Sequence, residues 1–434
     1  MRVLMFTGKG GVGKTTTAAA TAALAASRGV KALVLSTDPA HSLADAFGVP
    51  LTGEPSEVDA GLYAMQVDTQ AAFERSWHDV QAYLRGLLAR AGVDALQAEE
   101  LIVLPGADEV LALLELRAQV ESGRFDLVVV DCAPTGETLR LLALPEVLAW
   151  YVEKVFPAHR RALRAMRPLL GRADPTLPPD GVLGAVERLH RELADVRALL
   201  TSAVTSVRVV LTPEAVVVAE ARRTLTSLAL YGYRVDGLVA NRVFPDSDEP
   251  FLRGWVAAQA AQLEAVRADA GGLPVLLSAY RASEPVGLPA LVEFGAQLYG
   301  DADPAADAGP VPDLLDVQAD GDGFVLSLAL PLARRQDLGL TRAGDELVVT
   351  VGGHRRVLAL PSLLRRCTVA GAALTGERLR VRFVPDPAQW PSALLVPGAL
   401  LGPSTQVGPG AQLGPGTQAG PGAQLAPAAR LASR

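Results

Sequence analysis

The residues best equipped for chemistry stand at the front of the chain. Gly8-Lys9-Gly10-Gly11-Val12-Gly13-Lys14-Thr15-Thr16 fits the spacing G-x-x-x-x-G-K-[ST] of a phosphate-binding loop. Its glycines let the backbone curl, so that successive N–H groups point inward at phosphate oxygens. Lys14 adds a positive charge for the outer phosphates, and Thr15 a hydroxyl for Mg2+. Lys9 is the unusual member. A lysine inside the loop cannot easily reach phosphates held by its own loop, but it could neutralise charge on a nucleotide held by a neighbouring subunit. Two acidic residues complete the set. Asp131 ends the apolar run Phe125-Asp126-Leu127-Val128-Val129-Val130-Asp131, a Walker-B-like element that would place a carboxylate near Mg2+. Asp38 follows a predicted strand over 31–36, at the edge where open parallel sheets bind ligands.

The elements needed to position these groups are legible. Val3-Leu4-Met5-Phe6 reads as a buried strand, and the Ala-rich run 15–28 as a helix whose N-terminus faces the phosphates. Gly29 is a good residue to end that helix. Further strands are expected at 62–67, 206–211, 234–240 and 274–278, with helices at 214–230, 249–268 and 287–299. This alternation predicts an α/β fold, a doubly wound and mainly parallel sheet. Residues 70–122 and 139–203 read as an inserted helical subdomain. Phe73, Trp77, Val80, Leu84, Leu87 and Leu88 recur on one helix face, which either packs as core or offers an apolar groove to a partner helix.

The remaining chain changes character. Residues 301–313 are rich in Asp, Ala and Pro and read as a linker, and 314–386 as a small all-β domain. Residues 396–434 carry a Gly/Pro hexad repeat, either a disordered tail or a short parallel β-helix. The chain has 434 residues and a net charge of −7, which argues against a general nucleic-acid binder. Its two cysteines, Cys132 and Cys367, form no Cys-x-x-Cys, so no zinc site or disulfide framework is expected. The few residues before the loop leave no room for a signal peptide, and no uncharged apolar run reaches the ~18–20 residues of a membrane span. A cytoplasmic protein is expected.

The loop with its extra lysine resembles the deviant Walker A loop shared by ArsA, MinD, ParA and the nitrogenase iron protein. Three more segments narrow the resemblance. Ser36-Thr37-Asp38-Pro39-Ala40-His41-Ser42-Leu43 is similar to switch I of the ArsA family, the arsenical pump-driving and tail-anchored-protein-targeting ATPases. Asp131-Cys132-Ala133-Pro134-Thr135-Gly136-Glu137-Thr138-Leu139-Arg140 is similar to their switch II. Thr212-Pro213-Glu214 and Val239-Ala240-Asn241-Arg242 are similar to their base-binding region. These segments fall in order over roughly residues 1–300. Residues 314–384 resemble the α-crystallin-type, small heat-shock β-sandwich appended to some relatives.

The resemblance implies roles. Asp38 would orient the attacking water, with Lys14 and a partner's Lys9 stabilising the charge that develops. Gly8, Lys9, Gly10, Gly11, Val12, Gly13, Lys14, Thr15 and Thr16 would hold ATP. Thr15 would bind Mg2+ directly and Asp131 through water. Asn241 would read adenine, and Glu214 would contact nucleotide across a homodimer. Asp45 and His41 would cap or pack the switch. The implied function is an ATP-hydrolysing chaperone or targeting switch for a hydrophobic client. Arsenite efflux and a MinD- or ParA-like positioning role are the alternatives. Departures from the family weigh on these. The zinc-binding cysteines of the eukaryotic targeting factors are absent, as are the cysteine cluster and second phosphate loop of the arsenical pump subunit.

Overall fold

A computed structural model describes residues 1–38, 42–67, 107–132, 180–306 and 315–389. His41, most of the expected switch II, the hexad tail and much of the helical subdomain lie outside the described residues, and so does the groove expected there. The chain divides into two compact units, Met1–Val311 and Pro312–Arg434.

The first unit is built on eight strands: β1 (Arg2–Thr7), β2 (Ala32–Ser36), β3 (Ser56–Asp59), β4 (Leu62–Gln66), β5 (Leu127–Asp131), β6 (Thr205–Leu211), β7 (Val235–Val243) and β8 (Val275–Ala279). They lie in the order β3-β4-β2-β5-β1-β6-β7-β8. Only β3 runs antiparallel to its neighbour; the other pairings are parallel. The expected doubly wound sheet is therefore what forms. β1, β2, β5 and β6 are buried along their whole length, as their unbroken apolar runs require of strands covered on both faces. The chain winds first to one side of β1 and then, through β6, to the other. The C-terminal end of β1 is thus the switch point where such sheets bind ligands.

Helix α1 (Lys14–Ser27) leaves that point. Its alanines from Ala18 to Ala25 are buried, and their small side chains let it lie close to its neighbours. The closest approach is to a C-terminal helix at Gly295, where an added Cβ would press on the carbonyl of Ala20. The remaining helices of the unit among the described residues are α2 (Ser42–Phe47), α3 (Ala107–Glu121), α4 (Asp180–Leu200), α5 (Ala215–Tyr231), α6 (Pro250–Asp269) and α7 (Leu288–Tyr299), the last carrying Gly295. α3 and α4 belong to the expected helical region. They bury Leu113 and Leu116 on one side and Leu193 and Val196 on the other, and Arg117 bonds Asp195 at 3.0 Å. Behind α1, Thr21 and Arg208 both bond the hydroxyl of the buried Tyr299, at 2.7 and 2.8 Å. Asp236 then pairs with both Arg208 and Arg2. Each of these polar groups has a partner, which is what makes their burial affordable.

Among its described residues the second unit pairs its strands antiparallel. β9 (Leu315–Asp320), β10 (Gly323–Ala329), β14 (Cys367–Thr375) and β15 (Arg378–Pro385) form one sheet in the order β14-β15-β10-β9. β11 (Leu338–Ala343), β12 (Glu346–Val351) and β13 (His354–Ala359) form the other. A one-turn helix, α8 (Ser362–Arg365), precedes β14. Alternation buries Leu326 and Leu328 on β10, Leu347 and Val349 on β12, and Leu379, Val381 and Phe383 on β15. The short edge strand β3, the strand β11 and the long strand β14 are the strands that sequence periodicity did not announce.

Candidate functional site

The phosphate loop takes its shape from two glycines that nothing else could replace. A Cβ at Gly8 would run into the carbonyl oxygen of Val210 on β6. Gly13 has φ +91°, and a Cβ there would strike the side-chain amide of Asn241. Asn241 is 6 % exposed and donates from Nδ2 to the carbonyl of Val12 at 2.9 Å. Its Oδ1 accepts the backbone N–H of Arg242, also at 2.9 Å. Asn241 therefore braces the loop from below. It keeps one N–H and one lone pair for other partners. Replacing Gly13 by Ala combines left-handed strain with displacement of this brace, a cost of ~2–3 kcal/mol. Nucleotide affinity, read by titration with a fluorescent ADP analogue, should fall on the order of 100-fold. An unchanged affinity would mean that the brace is not what shapes the loop.

The loop opens on a cavity of about 800 Å3. Lys14, Thr15, Thr16 and the glycines 10, 11 and 13 line one side, with Asp38, Ser42 and Asp45 beside them. Asn241, Arg242 and the segment 279–286 line the other. The cavity thus gathers most of the expected residues. Lys14 is 6 % exposed, with Nζ 3.3 Å from the carbonyl of Lys9. The Thr15 hydroxyl lies 3.1 Å from that of Ser42 at the start of α2. Asp38 is half-buried, and its carbonyl accepts from Gln66 at 3.2 Å.

Five expected residues do not line it: Gly8, Val12, Asp131, Lys9 and Glu214. Lys9 turns outward, with its ammonium 3.9 Å from Glu220 on α5 and its side chain 40 % exposed. Glu214 is exposed at the N-cap of α5, where its carboxylate accepts from Thr212 at 3.3 Å. Within one subunit, neither shares the cavity with Lys14.

Asp131 lies at the end of β5, outside the cavity lining. It is fully buried. Ser36 donates to Oδ2 at 3.3 Å, while Oδ1 makes no hydrogen bond among the described residues. Burial pushes the carboxyl up to about 7, and nearby Asp38 adds to the rise, against the pull of the Thr15 hydroxyl and of Lys14. A buried carboxylate oxygen without a donor, next to a threonine hydroxyl, suits a hard divalent cation such as Mg2+. Without the cation, the sign of the pH effect follows. An unfolded Asp loses its proton near pH ~4, whereas the native group holds it to about 7, so the fold loses stability as pH rises across that window. Asp131→Asn should therefore match the wild-type Tm near pH 4 and exceed it by several degrees above pH 7, measured without nucleotide or metal. A constant difference across this range would contradict the buried charge.

The lining segment 279–286, and what holds Arg242 of the expected base-binding region in place, escaped sequence reasoning. Arg242 has φ +58°, rare for a residue with a side chain. The buried Gln259 of α6 holds it there, donating to the carbonyl of Arg242 at 3.0 Å and accepting the N–H of Phe244 at 2.7 Å. The segment 279–286 is tied to α2 by the N–H of Gly287, which donates to the carbonyl of Ala46 at 2.9 Å. Its place after β8, at the ligand edge of the sheet, was the signal available. Cys132, next to Asp131, is buried, and burial and the Asp131 charge push its thiol far up, so it is no thiolate.

Comparison with known proteins agrees with this geometry. The profile of a family described as an anion-transporting ATPase, ArsA type, matches residues 1–300. A second profile, an HSP20-like domain found in ArsA, matches residues 321–383. A protein of Chlorobaculum tepidum named "Putative arsenical pump-driving ATPase" is 36 % identical over 389 residues, 88 % of this chain and 96 % of that one. An uncharacterised protein of Streptomyces coelicolor is 40 % identical over 395 residues, 90 % of this chain and 99 % of its own. A shorter match, 41 % over 145 residues, covers 32 % of this chain and 38 % of a Babesia bovis protein named as an ATPase ASNA1 homolog. With the phosphate loop, the buried carboxylate behind it and both profiles in place, the chain belongs to the ArsA family of ATPases and carries that family's HSP20-like domain.

Proposed function

We propose that the chain is a homodimeric switch that couples ATP hydrolysis to the binding and release of a hydrophobic client. The observation that carries this reading is the division of labour between the two lysines of one loop. Lys14 is buried in the cavity of its own subunit, while Lys9 points out of it. A nucleotide cradled on the loop's N–H groups has Lys14 at its outer phosphates. A second copy facing this surface brings its Lys9 to the same phosphates from outside, and Glu214 lies on that outward side as well. Asp38 accepts a hydrogen bond from the attacking water and aligns it with the outer phosphate. Thr15 and Asp131 would hold the cation. Mg2+ supplies there a Lewis acid for phosphate oxygens. Asn241 keeps the loop closed and offers its spare N–H and lone pair to the base.

Release of the outer phosphate removes what holds Asp38 and α2 in place. α2 is tied to Thr15 through Ser42 and to the 279–287 segment through Ala46, so its movement reaches both ends of the cavity. The client would be a single apolar helix, and its seat the residues 70–122 and 139–203 that the sequence reads as a helical subdomain. The resemblance of the loop and switch segments to the tail-anchored-protein-targeting ATPases favours this partner. The relatives named for an arsenical pump raise arsenite instead. Against arsenite stand two cysteines, one in each compact unit, both buried and with thiols pushed up by burial. Phosphate release from Mg-ATP, measured with the full chain, separates these readings. Turnover that responds to a soluble apolar helix and not to arsenite is expected. No turnover at all, or stimulation by arsenite, would overturn the proposal.

A further inference from the structure

Three strands that lie side by side, β4, β2 and β5, run through apolar or aromatic residues to a polar last one: Gln66, Ser36 and Asp131. Parallel register sets these ends in one row, Gln66 beside Ser36 and Ser36 beside Asp131. All three are buried, with Gln66 5 % exposed. Gln66 is the member whose burial the fold alone does not explain. Its Oε1 makes no hydrogen bond among the described residues. A buried polar atom without a partner is unfavourable, and a methionine would fill the same space without that loss. What the amide does make is one bond outward from the strand, from Nε2 to the carbonyl of Asp38 at 3.2 Å.

That bond is one half of a grip. The N–H of Asp38 donates to the hydroxyl oxygen of Ser36, also at 3.2 Å. Both backbone polar groups of Asp38 are thus tied to buried side chains, one on β2 and one on β4. Thr37, between strand and Asp38, donates its N–H to the carbonyl of Asp131 at 3.0 Å. Asp38 stands two residues past the end of β2, where a loop would otherwise leave its peptide free to turn. With both sides fixed, its carboxylate keeps only its own side-chain rotamers, and reaches the cavity from one place. Ser36 has a second bond. Its proton goes to Oδ2 of Asp131 at 3.3 Å, so one hydroxyl joins the residue that orients water to the carboxylate beside Thr15.

We infer that Gln66 is a positioning residue for hydrolysis, which with Ser36 grips the Asp38 peptide from both sides and so fixes where the Asp38 carboxylate meets the attacking water. This rests on the role proposed for Asp38 above. Gln66 does not line the cavity and touches neither phosphate nor water, so its whole effect passes through Asp38.

The test is single-turnover phosphate release from Mg-ATP by the full chain, with nucleotide affinity read by a fluorescent ATP titration. Gln66→Met keeps the size of the side chain and removes the donor. Turnover is expected to fall on the order of tenfold, with affinity unchanged. The same substitution made in Asp38→Asn should cost nothing further, because the group it positions is already gone. An equal proportional loss in both backgrounds, or wild-type turnover in Gln66→Met, would overturn the inference. Ser36→Ala and Ser36→Thr give an independent reading. Loss with Ala and recovery with Thr, which keeps the hydroxyl, are expected, and equal turnover in the two would overturn the grip. Wild-type turnover in Asp38→Asn alone would remove the role of Asp38 as well, whereas a slow Asp38→Asn beside an unimpaired Gln66→Met would remove only the inference about Gln66.

Discussion

Asp38→Asn should bind Mg-ATP as tightly as the wild type and hydrolyse it at least ~100-fold more slowly, the lower end of what a positioned general base contributes. Asp38 lines the cavity beside Lys14 and Thr15 and lies near enough to Asp131 to raise its pKa. An amide at position 38 keeps the size and most of the hydrogen bonding of the carboxylate, but it cannot draw a proton from water. Loss of turnover without loss of affinity separates water activation from nucleotide binding. Single-turnover phosphate release and a fluorescent ATP titration read the two quantities. Wild-type turnover in this variant would remove Asp38 from the mechanism.

The second large effect belongs to Lys9. Its side chain's ion pair among the described residues is the 3.9 Å approach to Glu220, with both side chains partly exposed. An exposed pair of this kind contributes ~0–1 kcal/mol, so Lys9→Ala should leave folding intact. Hydrolysis should nonetheless fall on the order of 10³-fold, as expected for a cation supplied in trans to a transferring phosphoryl group. Mixing gives a stricter reading. A Lys9→Ala subunit retains Asp38, and an Asp38→Asn subunit retains Lys9. The mixed dimer therefore contains one complete site, and combining two inactive proteins should restore turnover. If the mixture stays inactive while mixed dimers form, Lys9 acts within its own subunit.

Much of this was legible because the demands are local. A backbone that must curl around phosphate needs glycine at fixed positions, and the structure gives the reason at Gly8 and Gly13 in neighbouring atoms of Val210 and Asn241. β1, β2, β5 and β6 declare themselves as unbroken apolar runs because both of their faces are covered. β3 is four residues of alternating exposure at a sheet edge, and β14 is built of small residues around Gly371, so neither has the large apolar side chains that mark a strand. The missed parts of the site are missed for a different reason. Gln259 and Tyr280 matter through what they touch across the fold, and nothing in the spacing of their neighbours encodes that. Asn241 was expected as a base reader, and its contacts show a brace beneath the loop.

The central claim is that ATP and its hydrolysis change the grip on a hydrophobic segment. The most direct measurement is the affinity of a fluorescently labelled single apolar helix for full-length Asp38→Asn, titrated once in Mg-ATP and once in Mg-ADP. The account predicts binding at least tenfold tighter in one nucleotide state than in the other, a difference of about 1.4 kcal/mol. Equal affinity in the two states would contradict it, because a ligand that binds two states equally shifts neither.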